Sequence, residues 1–385
     1  MIDIYSYDMV PLSDFLAEYK ELNTNNRFRP VAVGRYGIRT RESIYSKELA
    51  QDYSKNKLIY KDTLTVGMGS VQMDIGILTD DITYSVSPAY HTYRINGINC
   101  DYLRFCLQAR NADMFERYKK RGSRQGKSID LKAWLHYLIP VYEIDGQLQI
   151  VSTLHKIQSI IDDRMQQLQK LDDLVKARFV EMFGDPENNS FDWKEQPLSK
   201  HLDVVGGFAF KSDQFVEEGI PVLRIGNINA GYFKPVNMVF WDNDDNLKKY
   251  KLFPGDLVMS LTGTVGKDDY GNVCILGNDY DEYYLNQRNA KLELKDSINK
   301  YYISTLLKFE SIKKKLTGIS RGIRQANISN KDILNLVVPI PNITTQIEFE
   351  QFVQQVDKSK FVESIHVLKL IKEAIAKEVS HDRIR

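Results

Sequence analysis

Apolar residues recur at alternating steps of four and three through Ile150, Leu154, Ile157, Ile161, Arg164, Leu168, Leu171, Val175, Arg178 and Met182, with only two arginines interrupting. This spacing predicts one long helix with a narrow apolar seam, the kind that pairs with another helix. Asp145 suits its start. Gly184-Asp185-Pro186 suits its end, because Gly accommodates a helix terminus and Pro cannot continue one. A second stripe follows Pro341 and Asn342 through Phe349, Phe352 and Val356, then Phe361, Ile365, Leu368, Ile375 and Val379. Its register slips between Val356 and Phe361, which reads as a stutter, and Lys372 takes a seam position. A stripe of this length also suits a helix lying on its own domain. The strict alternation from 150 to 182 favours the helix-to-helix seam.

Elsewhere the period shortens. Runs rich in Val, Ile, Phe, Tyr and Leu near 204–210, 222–228, 236–241, 252–261 and 283–294 are broken by Gly, Asn, Asp and Pro, and read as strands. The first half offers strands near 30–38, 63–68, 73–78 and 90–96. Helical spacing returns at 101–118 and 299–316. The class is therefore α+β, with two globular mixed parts and two long helices.

The text also repeats. Arg121-Gly-Ser-Arg-Gln125 recurs as Arg321-Gly-Ile-Arg-Gln325, and Leu138-Ile139-Pro140 as Pro339-Ile340-Pro341. Gln149-Ile150 is echoed by Gln346-Ile347, and Pro11-Leu12-Ser13 by Pro197-Leu198-Ser199. Matches in one order at nearly constant offset argue for a duplicated unit of just under 200 residues, each unit ending in a long helix.

Composition refines this picture. A chain of 385 residues suits two globular units, and 43% hydrophobic with 27% charged residues is ordinary for a globular protein. No apolar stretch is long enough for a bilayer. Met1-Ile2-Asp3-Ile4-Tyr5 lacks the character of a secretory signal, so a cytoplasmic setting is expected. Cys100, Cys106 and Cys274 form no metal or disulfide pattern and are expected to be buried thiols. The net charge of +1 hides two basic stretches: residues 110–132 hold eight Lys or Arg against three acids, and 308–331 hold seven against one. A solvated helix face is the ordinary reading of one such run. Two runs carrying the same pentapeptide point to phosphate.

The chemistry on offer is binding chemistry. Arg pairs bidentately with guanine and Gln or Asn with adenine, while Lys anchors phosphate. The candidate nucleic-acid contacts are Lys119, Lys120, Arg121, Arg124, Gln125 and Lys127 in the first half. In the second half they are Thr264, Lys267, Lys313, Lys314, Lys315, Arg321, Arg324, Gln325 and Asn327. Gly263-Thr264-Val265-Gly266-Lys267 is not a Walker loop, because Leu261 stands where the first Gly belongs and Asp268 follows the lysine. It reads either as a hairpin or as a phosphate contact. No nucleophile elbow, zinc helix or Cys-His pair is present, and the six histidines are scattered, so neither a catalytic residue nor a metal site is expected.

The layout resembles the specificity subunits of type I restriction-modification enzymes. The resemblance rests on the two Pro-Leu-Ser openings, Val222-Leu-Arg-Ile-Gly-Asn-Ile228, Pro254-Gly-Asp-Leu-Val258 with Gly263-Thr-Val-Gly266, Val338-Pro-Ile-Pro341, and Phe179-Val-Glu-Met-Phe-Gly-Asp-Pro186. It implies target recognition domains at 1–144 and 185–342, each reading half of a bipartite duplex site. It also implies conserved helices at 145–184 and 343–385, pairing as an antiparallel coiled coil in a pseudo-twofold repeat. Ile150, Leu154, Ile157, Ile161, Leu168, Leu171 and Val175 would then meet Phe361, Ile365, Leu368 and Ile375 along the seam, which would also serve partner subunits. A helix of about 35 residues spans roughly 50 Å, more than the roughly 34–36 Å of one DNA turn, so readers at its two ends would touch separate words. Two modification subunits carrying S-adenosylmethionine and methylating adenine, together with ATP-dependent restriction subunits, are the implied partners. The chain itself would bind no cofactor, catalyse nothing and touch no membrane. The first half departs from the pattern: Tyr60-Lys-Asp-Thr-Leu64 and Gly67-Met-Gly-Ser70 only loosely echo the later motifs, as two diverged readers would. The competing readings are a coiled-coil scaffold without a DNA role, a DNA-processing enzyme with a disguised site, and a specificity subunit of a methylation-only system.

Overall fold

The computed structural model describes residues 6–34, 37–43, 52–121, 127–264, 269–318 and 325–360. The chain divides into two compact units, one drawn from Met1–Ile161 and the other from Asp162–Lys369.

In the first unit, strand Tyr7–Pro11 pairs antiparallel with Leu138–Tyr142, closing the unit where its chain enters and leaves. Pro11 adopts the extended φ of −71° and opens a 3-10 turn, Leu12–Asp14, that drops Leu12 into the core. A four-stranded antiparallel sheet follows in the order Leu16–Tyr19, His91–Ile95, Thr63–Met68, Met73–Ile77. Helices Cys100–Ala109 and Asn111–Tyr118 pack on it through Leu103, Leu107, Met114 and Phe115. The first of these helices starts where the side chain of Asn99 accepts the Tyr102 N–H.

The second unit repeats these elements in the same order. Glu195–Pro197 pairs with Val337–Pro339, and Pro197 opens the turn Leu198–Lys200 with Leu198 wholly buried. The sheet runs Leu202–Gly206, Asn289–Leu294, Leu257–Ser260, Val273–Ile275, and helices Lys300–Leu306 and Glu310–Thr317 follow, the first capped by Asn299. The correspondence extends to single hydrogen bonds. Tyr102 Oη donates to Pro140 O at 2.7 Å and Tyr302 Oη to Pro339 O at 2.8 Å. Gln147 accepts from Asn99 N and donates to Tyr142 O; Gln346 accepts from Asn299 N and donates to Pro341 O. The equivalent glutamines are thus Gln147 and Gln346 rather than Gln149 and Gln346, because only Gln147 faces inward at the first helix entrance while Gln149 is exposed.

The units diverge between the first and third sheet strands. The first unit places there a hairpin, Val31–Gly34 with Gly37–Thr40. The second adds strand Ile220–Leu223, parallel to Tyr283–Leu285, and a helical turn Ile225–Ile228. The strand expected over 222–228 therefore ends at Leu223.

The long helix spans Ile144–Phe183, beginning one residue before Asp145. From 152 to 174 every residue is exposed except Leu154, Ile157, Ile161, Arg164, Leu168 and Leu171, the spacing read from sequence. Towards its end Phe179 lies 1% exposed, stacked on Tyr302 at 5.3 Å and edge-on to Phe349 at 5.5 Å. Helix 343–360 meets it in reverse order: Phe349 against Phe183, Phe352 beneath Arg178, and Lys360 bonded to Asp172 at 2.7 Å. The seam residues Phe361, Ile365, Leu368 and Ile375 lie outside the described residues.

Candidate nucleic-acid interface

Each pentapeptide follows a helix in the chain, Asn111–Tyr118 in the first unit and Glu310–Thr317 in the second. In the first unit, helix Asn111–Tyr118 runs directly into strand Lys119–Arg121, which pairs with Lys127–Ile129. Arg124 and Gln125 lie outside the described residues, and of Arg121 and Lys127 only the backbone is described. Lys119 is bonded to Glu116 at 2.6 Å and Lys120 to Asp130, all with exposed or half-exposed side chains. Such surface pairs contribute about 0–1 kcal/mol, so either ammonium exchanges readily for another anion.

In the second unit, strand Gln325–Asn327 pairs antiparallel with Thr262–Thr264, Thr264 facing Gln325 and Thr262 facing Asn327. Two stretches that sequence treats separately, the Gly-Thr loop and the basic pentapeptide, are thereby joined. The Gly-Thr stretch lies in the connection between the antiparallel strands Leu257–Ser260 and Val273–Ile275, and its residues 265–268 lie outside the described residues. Thr264 is exposed, but its backbone N–H already donates to Asp269 Oδ1 at 2.8 Å, so only its hydroxyl remains for a ligand. Asn327 is exposed. Lys267, Arg321 and Arg324 lie outside the described residues, as does the Gln325 side chain.

The three consecutive lysines separate. Lys314 is exposed and paired with Glu310 at 2.6 Å, and Lys315 is exposed. Lys313 is 8% exposed and donates to Asn272 Oδ1 at 2.7 Å, so the expectation of a phosphate contact there is corrected. The cause is helical geometry: Ile312, Lys313 and Leu316 occupy the inward face of Glu310–Thr317 while 314 and 315 face out.

Two recesses in the second unit share Arg288 and mix polar with apolar lining. One recess of about 530 Å³ is lined by Arg224, Asn227, Asn237, Asn286, Gln287 and Arg288 among others. A second of about 430 Å³ carries Asn229, Thr262, Thr264, Asp269 and again Arg288. These residues come from four separate stretches: Arg224 and Asn227 belong to the Val222–Ile228 motif and Thr264 to the Gly-Thr stretch, whereas Asn286-Gln-Arg288 lies in no motif singled out above.

Burial pushes the Cys100 thiol up to about 11 and the Cys274 thiol to about 12, so both stay protonated. Cys100 is only half-buried, short of the burial expected for it. Among the described residues no group of three His, Cys, Asp or Glu could hold a metal ion, and no helix is long and apolar enough to cross a membrane.

Residues 191–372 match the model of the type I restriction modification DNA specificity domain. The second unit thus carries a match to a DNA specificity domain over nearly all of its length. It is similar to the MjaVIII specificity subunit of Methanocaldococcus jannaschii, 26% identical over 66% of this chain and 63% of that one. It is also similar to the StySPI specificity subunit of Salmonella potsdam, 24% identical over 48% of this chain and 41% of that one. The chain spans less than two thirds of the length of these curated relatives. The crystal structure of a type I system S subunit from M. genitalium aligns over 98% of this chain and 96% of that one at 15% identity, with a TM-score of 0.45.

Proposed function

We propose that the chain reads a bipartite duplex DNA site for partner modification subunits and performs no catalysis itself. The observation that carries this is the recurrence, in residues 7–142, of the element order and capping hydrogen bonds of the matched DNA specificity domain. Two units of one design and divergent inserts suit two different words.

Each target recognition domain, 1–144 and 185–342, sets its basic segment against DNA. Lys119, Lys120, Lys314 and Lys315 meet phosphates; Arg121, Arg124, Gln125, Arg321, Arg324, Gln325 and Asn327 approach the bases, with Lys127, Thr264 and Lys267 beside them. The helices 145–184 and 343–385 form an antiparallel coiled coil in a pseudo-twofold repeat. The shielded stripe from Leu154 to Leu171 and the reversed contact order of Asp172, Arg178 and Phe183 with Lys360, Phe352 and Phe349 support this. Two adenine methyltransferase subunits, holding S-adenosylmethionine, dock on those helices, and ATP-driven restriction subunits join them in the cytoplasm.

The test is expression with the modification subunit encoded beside it and a genome-wide map of methylated adenines. Two short words at a fixed gap support the proposal. One continuous word leaves a single reader, and a soluble complex that methylates no motif sinks the proposal in favour of a scaffold.

A further inference from the structure

Residues Asn286, Gln287 and Arg288 connect strands Tyr283–Leu285 and Asn289–Leu294, and their backbone is pinned from several sides. Gln287 N–H donates to Phe208 O at 2.9 Å, and Leu261 N–H donates to Arg288 O at 2.8 Å. Within the turn, Arg288 N–H donates to Asn286 Oδ1 at 3.1 Å and Asn289 N–H to Asn286 O at 2.9 Å. Gly207 passes so close beneath that a Cβ there would lie 2.2 Å from Asn286 O. The next residue, Asn289, is wholly buried and donates Nδ2 to Leu223 O at 2.7 Å. Strand alternation then turns Arg288 outward.

The side chains behave oppositely to the backbone that carries them. Gln287 and Arg288 are exposed, and among the described residues neither side chain makes a hydrogen bond or ion pair. Lys119, Lys120 and Lys314 are each tied to a carboxylate, whereas Arg288 stands at the border shared by the two recesses with its donor fork unspent. The groove around it presents three kinds of hydrogen-bonding group: guanidinium donors, the mixed donor and acceptor of the Gln287 amide, and the Asp269 carboxylate. A phosphate cradle carries donors only, since an added carboxylate repels the anion; base edges alternate donors and acceptors. Arg224 supports the rim, its guanidinium bonded to the Asn237 carbonyl.

We infer that Gln287 and Arg288 are specificity-determining residues of the second unit, Arg288 reading a guanine through O6 and N7 and Gln287 an adenine through N6 and N7. Arg224 and Asn289 are positioning residues behind them. The inference rests on the proposed DNA reading of this unit and names which side chains perform it. A fixed backbone with unpaired side chains suits the role, because binding then breaks no internal bond and orders only two side chains.

The test uses the complex with the modification subunit, comparing wild type with Arg288→Lys and Gln287→Ala by methylome mapping. Arg288→Lys keeps the charge and loses the fork. The expected result is relaxation at one position each, both in the same word, with discrimination there falling about 10- to 100-fold while the other word stays intact. Unchanged words, or an even loss of methylation across all sites in a complex whose melting temperature is preserved, overturns the inference. Should either variant lower that temperature, the other decides, since both side chains project from the surface without internal partners. A wild-type complex lacking any split motif instead sinks the DNA reading on which the inference depends, so the two failures are distinguishable.

Discussion

The side-chain Oε1 of Gln346 accepts the backbone N–H of Asn299 at 2.8 Å, so that a residue at the start of helix 343–360 holds the cap of helix Lys300–Leu306. Gln346 is wholly buried, and its Nε2 donates to Pro341 O at 2.8 Å, which uses both ends of the amide. Gln147 performs the same two tasks at the first helix, towards Asn99 and Tyr142. Each long helix is thereby keyed to its own unit by one glutamine.

Replacing Gln346 by Leu leaves a half-buried N–H and a buried carbonyl without partners, and an unsatisfied buried group costs about 1–3 kcal/mol. The expected outcome is a clear drop in the urea midpoint of the second unit. Gln346→Glu, which keeps the acceptor and turns the donor into an acceptor facing Pro341 O, should be destabilising too.

The lysines of Glu310–Thr317 should separate by assay. Lys315→Ala should leave stability unchanged and lower the slope of log affinity against log salt by about 0.9 for one lost phosphate contact. Lys313→Ala should do the reverse, because its ammonium is bonded to Asn272 inside the unit. Fluorescence anisotropy titrations at several salt concentrations, with a thermal melt beside them, read both.

His201 is 6% exposed, its Nδ1 2.8 Å from Ser297 Oγ, and burial together with Lys200 and Lys295 lowers its pKa below the ordinary 6.5. The unfolded chain therefore takes up a proton at a pH where the folded one does not. This contribution to stability is whole above about pH 6.5 and is lost as pH falls through and below that value. Urea midpoints measured between pH 7.5 and pH 5 as orders of acidity should fall more steeply for wild type than for His201→Gln; parallel curves would falsify the assignment.

Phe179 touches Phe183, Tyr302, Phe309 and Phe349 at ring-centroid distances of 4.9, 5.3, 5.1 and 5.5 Å. Phe179→Ala should cost about 3–5 kcal/mol, since the cluster cannot collapse around the missing ring. Loss of the second unit's unfolding transition in calorimetry, with the first unit's retained, is the expected reading.

The alternation of apolar residues from Ile150 to Met182 by itself determined the long helix and its shielded stripe, because a helix that buries one narrow seam must repeat its apolar positions at that period. The duplicated Pro-Leu-Ser and Arg-Gly-x-Arg-Gln text likewise marked two units, since each copy needs the same entry turn and the same exit from its helix. Sequence did not distinguish Lys313 from Lys314 and Lys315, three identical side chains in a row, because only the phase of helix Glu310–Thr317 against its core decides which faces Asn272. It matched Gln149 to Gln346 by text, where packing selects Gln147. Tertiary structure alone set Thr264 opposite Gln325 and gathered Arg224, Asn237 and Arg288 around one groove. Strand pairing joins residues far apart in the chain, and such contacts leave no period in the sequence from which they can be read.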